Sequence, residues 1–138
     1  MNYIKITIPG IPASKGSFNI GKYGQIYQAD KKLKGWVNAI SWQARAQAPR
    51  EPSQAAVELT ITFNLPQASN NKDIHPIIRP DIDKLARAVL DALTGIIYKN
   101  DSQVIRLECN KTWSKDGAPG CDIEIREATN WANIFSCV

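Results

Sequence analysis

Ile4, Ile6 and Ile8 alternate with Tyr3, Lys5 and Thr7, so residues 2–9 predict a strand, which Pro9-Gly-Ile-Pro12 ends. Residues 13–27 are small, polar and glycine-rich and predict an exposed loop. From about Ala29 to Ala48 the apolar residues Leu33, Trp36, Val37, Ile40 and Ala44 recur at helical spacing, with Lys31, Lys32, Lys34 and Arg45 mostly off that stripe. Val57, Leu59, Ile61 and Phe63 alternate with Glu58, Thr60, Thr62 and Asn64, a strand with one face buried. A long polar connection, 65–80, follows; structureless segments of this length in compact domains are often functional. A helix is expected from about Asp81 to Thr94, with Gly95 placed to end it. Strands over Val104–Trp113 and Cys121–Glu127 read as a hairpin joined through residues 115–120. The apolar tail from Trp131 to Val138 packs either on the core or on a second subunit. The order β, α, β, α, β, β predicts one α+β domain over residues 1–138, with two main helices on a mostly antiparallel or mixed sheet.

Composition adds exclusions. At 138 residues there is room for one ordinary core, and no stretch approaches 18 consecutive apolar residues, so a membrane span is not expected. The N-terminus lacks the hydrophobic run of a signal peptide. Cys109, Cys121 and Cys137 are odd in number and show no Cys-x-x-Cys spacing, which argues against a disulfide scaffold or structural zinc and for a reduced, cytoplasmic protein. With His75 the only histidine, its default place is the loop surface, and His-based metal or nucleophile chemistry is not expected.

The net charge of +4 conceals an asymmetry. Residues 1–50 hold eight basic residues against Asp30 alone, whereas the remainder carries nine basic and twelve acidic residues. A basic front and an acidic back point to a polyanion held by one part of the molecule and carboxylate chemistry in another. Lys15, Lys22, Lys31, Lys32 and Lys34 are candidate phosphate contacts, and Lys72 and Arg79 flank the long connection. Tyr23 and Tyr27 either stack on unpaired bases or pack against the sheet. Trp36 and Trp113 are expected to pack in the core or at its edge.

The carboxylates sit on the second helix. Asp83, Arg87 and Asp91, at i, i+4 and i+8, share a polar stripe opposite Leu85, Ala88, Val89, Ala92 and Leu93, and Asp81 immediately precedes them. From Asp81 to Thr94 the helix covers about 20 Å. An extended antiparallel return over Gly95–Asp101 covers about the same distance, which would bring Asp101 level with Asp81 and Asp83. Three converging carboxylates repel one another and call for a hard cation, Mg²⁺ or Mn²⁺. An equally simple reading makes Asp81 a helix cap, Asp83 a first-turn residue favoured by the helix dipole, and Asp101 part of an Asn-Asp-Ser turn.

The run Arg79-Pro-Asp-Ile-Asp-Lys-Leu…Ala-Val-Leu-Asp-Ala-Leu-Thr-Gly-Ile-Ile-Tyr-Lys-Asn-Asp-Ser-Gln-Val104 resembles the signature of the RusA family of Holliday junction resolvases, a D-x-D-N-L…K-A-x-x-D-A-L segment followed by a D-D-x-Q-V turn. The resemblance implies a RusA-like fold and a homodimeric, Mg²⁺-dependent endonuclease cutting four-way DNA junctions, a type common in phages and prophages. It places metal-binding and catalytic carboxylates at Asp81, Asp83 and Asp101. Lys84 stands where the family has Asn, Asn100 where it has the first Asp of the turn, and Arg87 where it has a catalytic Lys. Arginine stabilises charge on phosphate but does not readily give up a proton, so Lys84, one turn earlier, is a candidate substitute and a further DNA contact. In the N-terminal loop Pro12-Ala-Ser-Lys15 keeps the family's lysine, but Gly16-Ser17 follows in place of a basic cluster. Two other readings stand beside the nuclease: a catalytically weak or inactive junction-binding protein that keeps the fold, and a domain for other polyanions such as RNA in which the aspartates are caps.

Overall fold

In the computed structural model, residues 1–14, 18–20, 26–28 and 30–128 are described, with Phe18–Ile20, Ile26–Gln28 and Asp30 described as backbone. Lys15, Lys22, Tyr23, Cys137 and the tail from Trp131 to Val138 lie outside the described residues. Among the described residues, six strands and two α-helices follow in the order β1 (Tyr3–Pro9), β2 (Phe18–Ile20), β3 (Ile26–Gln28), α1 (Asp30–Gln47), β4 (Val57–Leu65), α2 (Ile82–Leu93), β5 (Val104–Trp113) and β6 (Gly120–Glu127). Four strands form a mixed sheet in the order β1-β6-β4-β5: β6 is antiparallel to both neighbours, and β4 and β5 are parallel. The chain is an α+β single domain.

Period-two patterning decides which face of the sheet is covered. Ile4, Ile6 and Ile8 of β1, Leu59, Ile61 and Phe63 of β4, and Cys121, Ile123 and Ile125 of β6 are buried together with Trp36, Ile40 and Ala44 of α1 and Leu85, Val89, Ala92 and Leu93 of α2. The opposite face presents Glu58, Arg106, Glu124 and Arg126. Trp36 is thus core, while Trp113 is half-buried and donates from Nε1 to Asp73 O at 2.8 Å.

Three expectations need correction. First, β5 and β6 are not a hairpin, because β4 lies between them and pairs with both. The composition of the strands explains the choice. The inward positions of β6 carry Cys121, Ile123 and Ile125 and need cover on the core face, whereas those of β5 include Lys111, and Ile105 and Leu107 remain 63% and 42% exposed. The richer strand takes the inner place and the poorer one the edge. Second, part of the glycine-rich segment forms the antiparallel pair β2–β3. Third, the return after Gly95 is not an extended strand. Gly95 adopts φ +83 at the end of α2, Ile97 accordingly donates to Leu93 O, and the buried Tyr98 donates its hydroxyl to Leu90 O at 2.8 Å. A 3-10 turn over Asp101–Gln103 then leads into β5.

Gly120 lets β6 pass close to β1, since a Cβ there would lie 2.4 Å from Ile8 O. Truncating the fully buried Ile61 (Ile61→Ala) should lower unfolding free energy by about 2–5 kcal/mol. Trp42→Ala, at a residue 77% exposed, should stay within about 0.5 kcal/mol of wild type; urea denaturation measures both.

Candidate active site

Helix α2 joins the parallel strands β4 and β5, so it runs back across the sheet and presents its stripe toward the open edge. Asp83, Arg87 and Asp91 are exposed on it, and together with Asp101 they rim a cleft of about 510 Å³ between α2 and β5, with Leu107 among its walls. Asp81 is extended (φ −68, ψ 143) and its side chain makes no capping bond; only its carbonyl starts the helix, accepting from Leu85 N at 3.0 Å. The cap reading therefore does not account for this carboxylate. Among the described residues it pairs with Lys84 Nζ at 3.7 Å, a half-exposed contact contributing about 0–1 kcal/mol. In the 3-10 turn the capping is done by Asn100, which accepts from Ser102 N at 2.9 Å, and the Asp101 carboxylate is left exposed. No hydrogen bond or ion pair links Asp83, Arg87 or Asp101 to another described residue.

The three expected carboxylates do not meet at one point. Asp81 and Asp83 share a depression with Arg79 and Lys111 beside the start of α2. Asp101 lies toward the other end of the helix: burial pushes the Tyr98 phenol up, and the charges of Asp101 and Asp91 both add to that shift. Strand β5 measures the separation. Asp101 precedes Val104, while Lys111 packs against the segment before Asp81, about 23 Å along an extended strand. Among the described residues no group of three or more His, Cys, Asp or Glu side chains is close enough to hold a metal ion.

Two positioning residues escaped the sequence reading. Lys111 Nζ donates to Ile78 O and, at 3.0 Å, to Pro80 O, so it fastens the backbone directly before Asp81. A lysine on the core-side register of β5, opposite Phe63, was the available signal. Gln103 donates to Ser53 O and Ala55 O, both at 2.8 Å, and accepts from Asn100 N at 2.7 Å, tying the Asp101 turn to the segment before β4. Arg79 borders the Asp81 depression, and Lys84 is adjacent through its ion pair. Lys31, Lys32 and Lys34 are exposed near the start of α1, where the first two flank a separate groove with Trp36, and Lys72 is exposed in the long connection. His75 is exposed.

The family model Endodeoxyribonuclease RusA matches residues 9–126, most of the chain. The chain belongs to the RusA family. It is also 30% identical to the uncharacterized protein YqaN of Bacillus subtilis (strain 168), over 94% of this chain and 99% of that protein. RusA membership makes this a nuclease family fold directed at branched DNA, with Holliday junction resolution as the implied activity. No helix among the described residues is long and apolar enough to cross a membrane.

Gln103→Ala removes three hydrogen bonds around the turn bearing Asp101 and leaves Ala55 O and Asn100 N without the partner it supplies, while Ser53 O keeps its bond from Lys99 N. It should cost about 1–3 kcal/mol in thermal unfolding, more than Asn100→Ala at about 1 kcal/mol.

Proposed function

We propose that the protein is a Mg²⁺-dependent, structure-selective DNA endonuclease that resolves four-way junctions by paired symmetric cuts, acting as a homodimer in the cytoplasm. The observation that carries this reading is the cleft of Asp83, Arg87 and Asp101, whose charges no described residue neutralises, in a chain of the RusA family. The donor set suits the metal. Asp81 and Asp83 offer hard carboxylate oxygens to one depression, and Mg²⁺ commonly takes one or two protein carboxylates together with waters and substrate phosphate. Mn²⁺ has the same preference for oxygen ligands. Asp81 and Asp83 are assigned as ligands beside the start of α2; Asp101, the expected third, lies toward the other end of the helix and is not brought to them within one chain. The chemistry such an ion supplies when bound is orientation and acidification of a water and neutralisation of phosphate charge.

The chain's own residues do the remainder. The Arg87 guanidinium, on the stripe between the acidic ends, offers a planar fork to two phosphoryl oxygens and stabilises the charge that develops there. Lys111 and Gln103 keep the two carboxylate-bearing segments in place. Arg79 and Lys84 receive the phosphates flanking the cut, and Lys15, Lys22, Lys31, Lys32, Lys34 and Lys72 supply affinity along the DNA arms without reading bases. Cleavage leaves 5′-phosphate and 3′-hydroxyl ends. Two symmetric cuts require two sites related by a twofold axis.

The alternative of a weak or inactive junction binder rests on Arg87 in the family's lysine position. End-labelled four-way junction with Mg²⁺ separates the two. The expected result is paired nicks by the wild type, none by Asp83→Asn despite retained binding, and at least about a tenfold loss for Arg87→Ala. Tight binding with no cutting, restored by Arg87→Lys, would establish the alternative. Normal cutting by Asp83→Asn would remove the metal-site assignment.

Mg²⁺ should also raise the melting temperature of the wild type, through binding to the folded state, and not that of Asp81→Asn. An unchanged melting temperature, with Mg²⁺-independent affinity for nucleic acid, would favour the polyanion-binding reading. Replacing Lys31, Lys32 and Lys34 together by Ala should reduce the salt dependence of junction binding, lowering the log–log slope by about 3.

A further inference from the structure

We propose that Ile77 and Ile78 form an apolar wedge that enters the interrupted base stack at a DNA branch point, and that this contact makes the protein prefer a junction to an intact duplex. The proposal rests on the nuclease reading above and adds how the branch is recognised. Ile74, Ile77, Ile78 and Ile82 are 86%, 79%, 40% and 39% exposed, four large apolar side chains in one short segment. Single exposed apolar residues are ordinary, whereas a cluster of them marks a contact surface. This cluster adjoins the carboxylates. Ile77, Ile78 and Ile82 line the depression of about 580 Å³ that Asp81 and Asp83 share.

The segment is held at both ends by side chains from the end of β5. Trp113 Nε1 donates to Asp73 O at 2.8 Å, and Lys111 Nζ donates to the carbonyls of Ile78 and Pro80. Between these anchors Ile77 N donates to His75 O at 2.9 Å, closing a tight turn about Pro76, which is buried. The proline is the foot of the wedge and Ile77 its tip. So exposed a side chain adds little to the core, and packing does not account for it. A side chain that must sit among bases gains from such a mount, because less freedom is lost on binding.

The surroundings choose the occupant. Lys72 and Arg79 flank the segment in the chain, Arg79 and Lys111 line the same depression, and Lys84 stands beside Asp81. Cations around an apolar patch match a polyanion whose bases are uncovered. An intact duplex shows a surface only phosphate, sugar and groove edges, and seating an isoleucine between its base pairs means breaking a stack. At a branch point the stack is already interrupted, so the same insertion costs less. The wedge thereby turns a difference in stacking into a difference in affinity. It also brings the branch point beside Asp81 and Asp83, where cutting is proposed.

The test is binding without divalent ion, so that no cutting intervenes, to a four-way junction and to a linear duplex. Ile77→Ser, and more strongly Ile77→Ser/Ile78→Ser, should weaken junction binding by at least about tenfold and leave duplex binding unchanged. Ile77→Leu/Ile78→Leu should keep the preference, as should Trp42→Ser, an equally exposed apolar residue that lines neither carboxylate cleft. With 2-aminopurine at the branch, wild type should raise the fluorescence and the serine variants should not. Ile77→Ser carries the test if the double variant melts early. Equal losses on junction and duplex, or none on either, would overturn the wedge. So would a serine variant that turns a wild-type dimer into a monomer in sedimentation, since the patch would then be a protein contact. Were the wild type to cut no junction while the serine variants lost junction binding alone, the nuclease reading would fall and the wedge would stand.

Discussion

The arrangement depends on β4 pairing along both of its sides. Because it is antiparallel to β6 and parallel to β5, the chain cannot pass from β4 to β5 by a tight turn and must cross back over the sheet. Helix α2 is that crossover, and its direction is fixed by the strands it joins. Its apolar face is taken up by the core, so the stripe of Asp83, Arg87 and Asp91 opens over the strand beyond β4. The edge position of β5, its thin cover and the acidic cleft above it are consequences of one pairing choice.

The anchors at the two ends of the cleft differ in kind. At the Asp101 end a reciprocal cap between Asn100 and Gln103, together with the buried phenol of Tyr98, fixes the turn from within the fold. At the Asp81 end the helix starts without a side-chain cap, and Lys111 of the neighbouring strand holds the incoming backbone. Leaving Asp81 and Asp101 out of the capping bonds costs helix stability of about 1 kcal/mol at such positions, and it keeps their oxygens available. Acidic groups gathered around a single arginine repel one another unless a cation or a polyanion-bound metal joins them.

Much of this was legible in the chain. The alternation Val57–Phe63, the stripe of α1, the buried face of α2 and the terminating role of Gly95 follow from period and from the special freedom of glycine. What failed was pairing, because periodicity says which face of a strand is buried and nothing about which strand lies beside it. Lys111 at an inward position of the strand over 104–113, against Ile123 and Ile125 in the strand after it, was the one sign that the former belonged at an edge. The convergence of Asp101 with Asp81 and Asp83 was a length argument that assumed an extended return. The chain instead buries Ile97 and Tyr98 and enters the sheet parallel to β4, which carries Asp101 to the opposite end of the helix.

The arginine at position 87 takes its meaning from the cations around it. A lysine substituting for the family's catalytic lysine as a proton donor would need a free ammonium group near the phosphate. Lys84 directs its charge to Asp81, and Lys111 gives hydrogen bonds to two backbone carbonyls. Recruiting either would loosen a contact that helps position the carboxylates. On the proposed nuclease reading, residue 87 would then supply fixed positive charge, and the leaving oxygen would take its proton from water. Arginine would perform that task through its planar, permanently charged fork, which keeps position 87 compatible with the proposed cleavage.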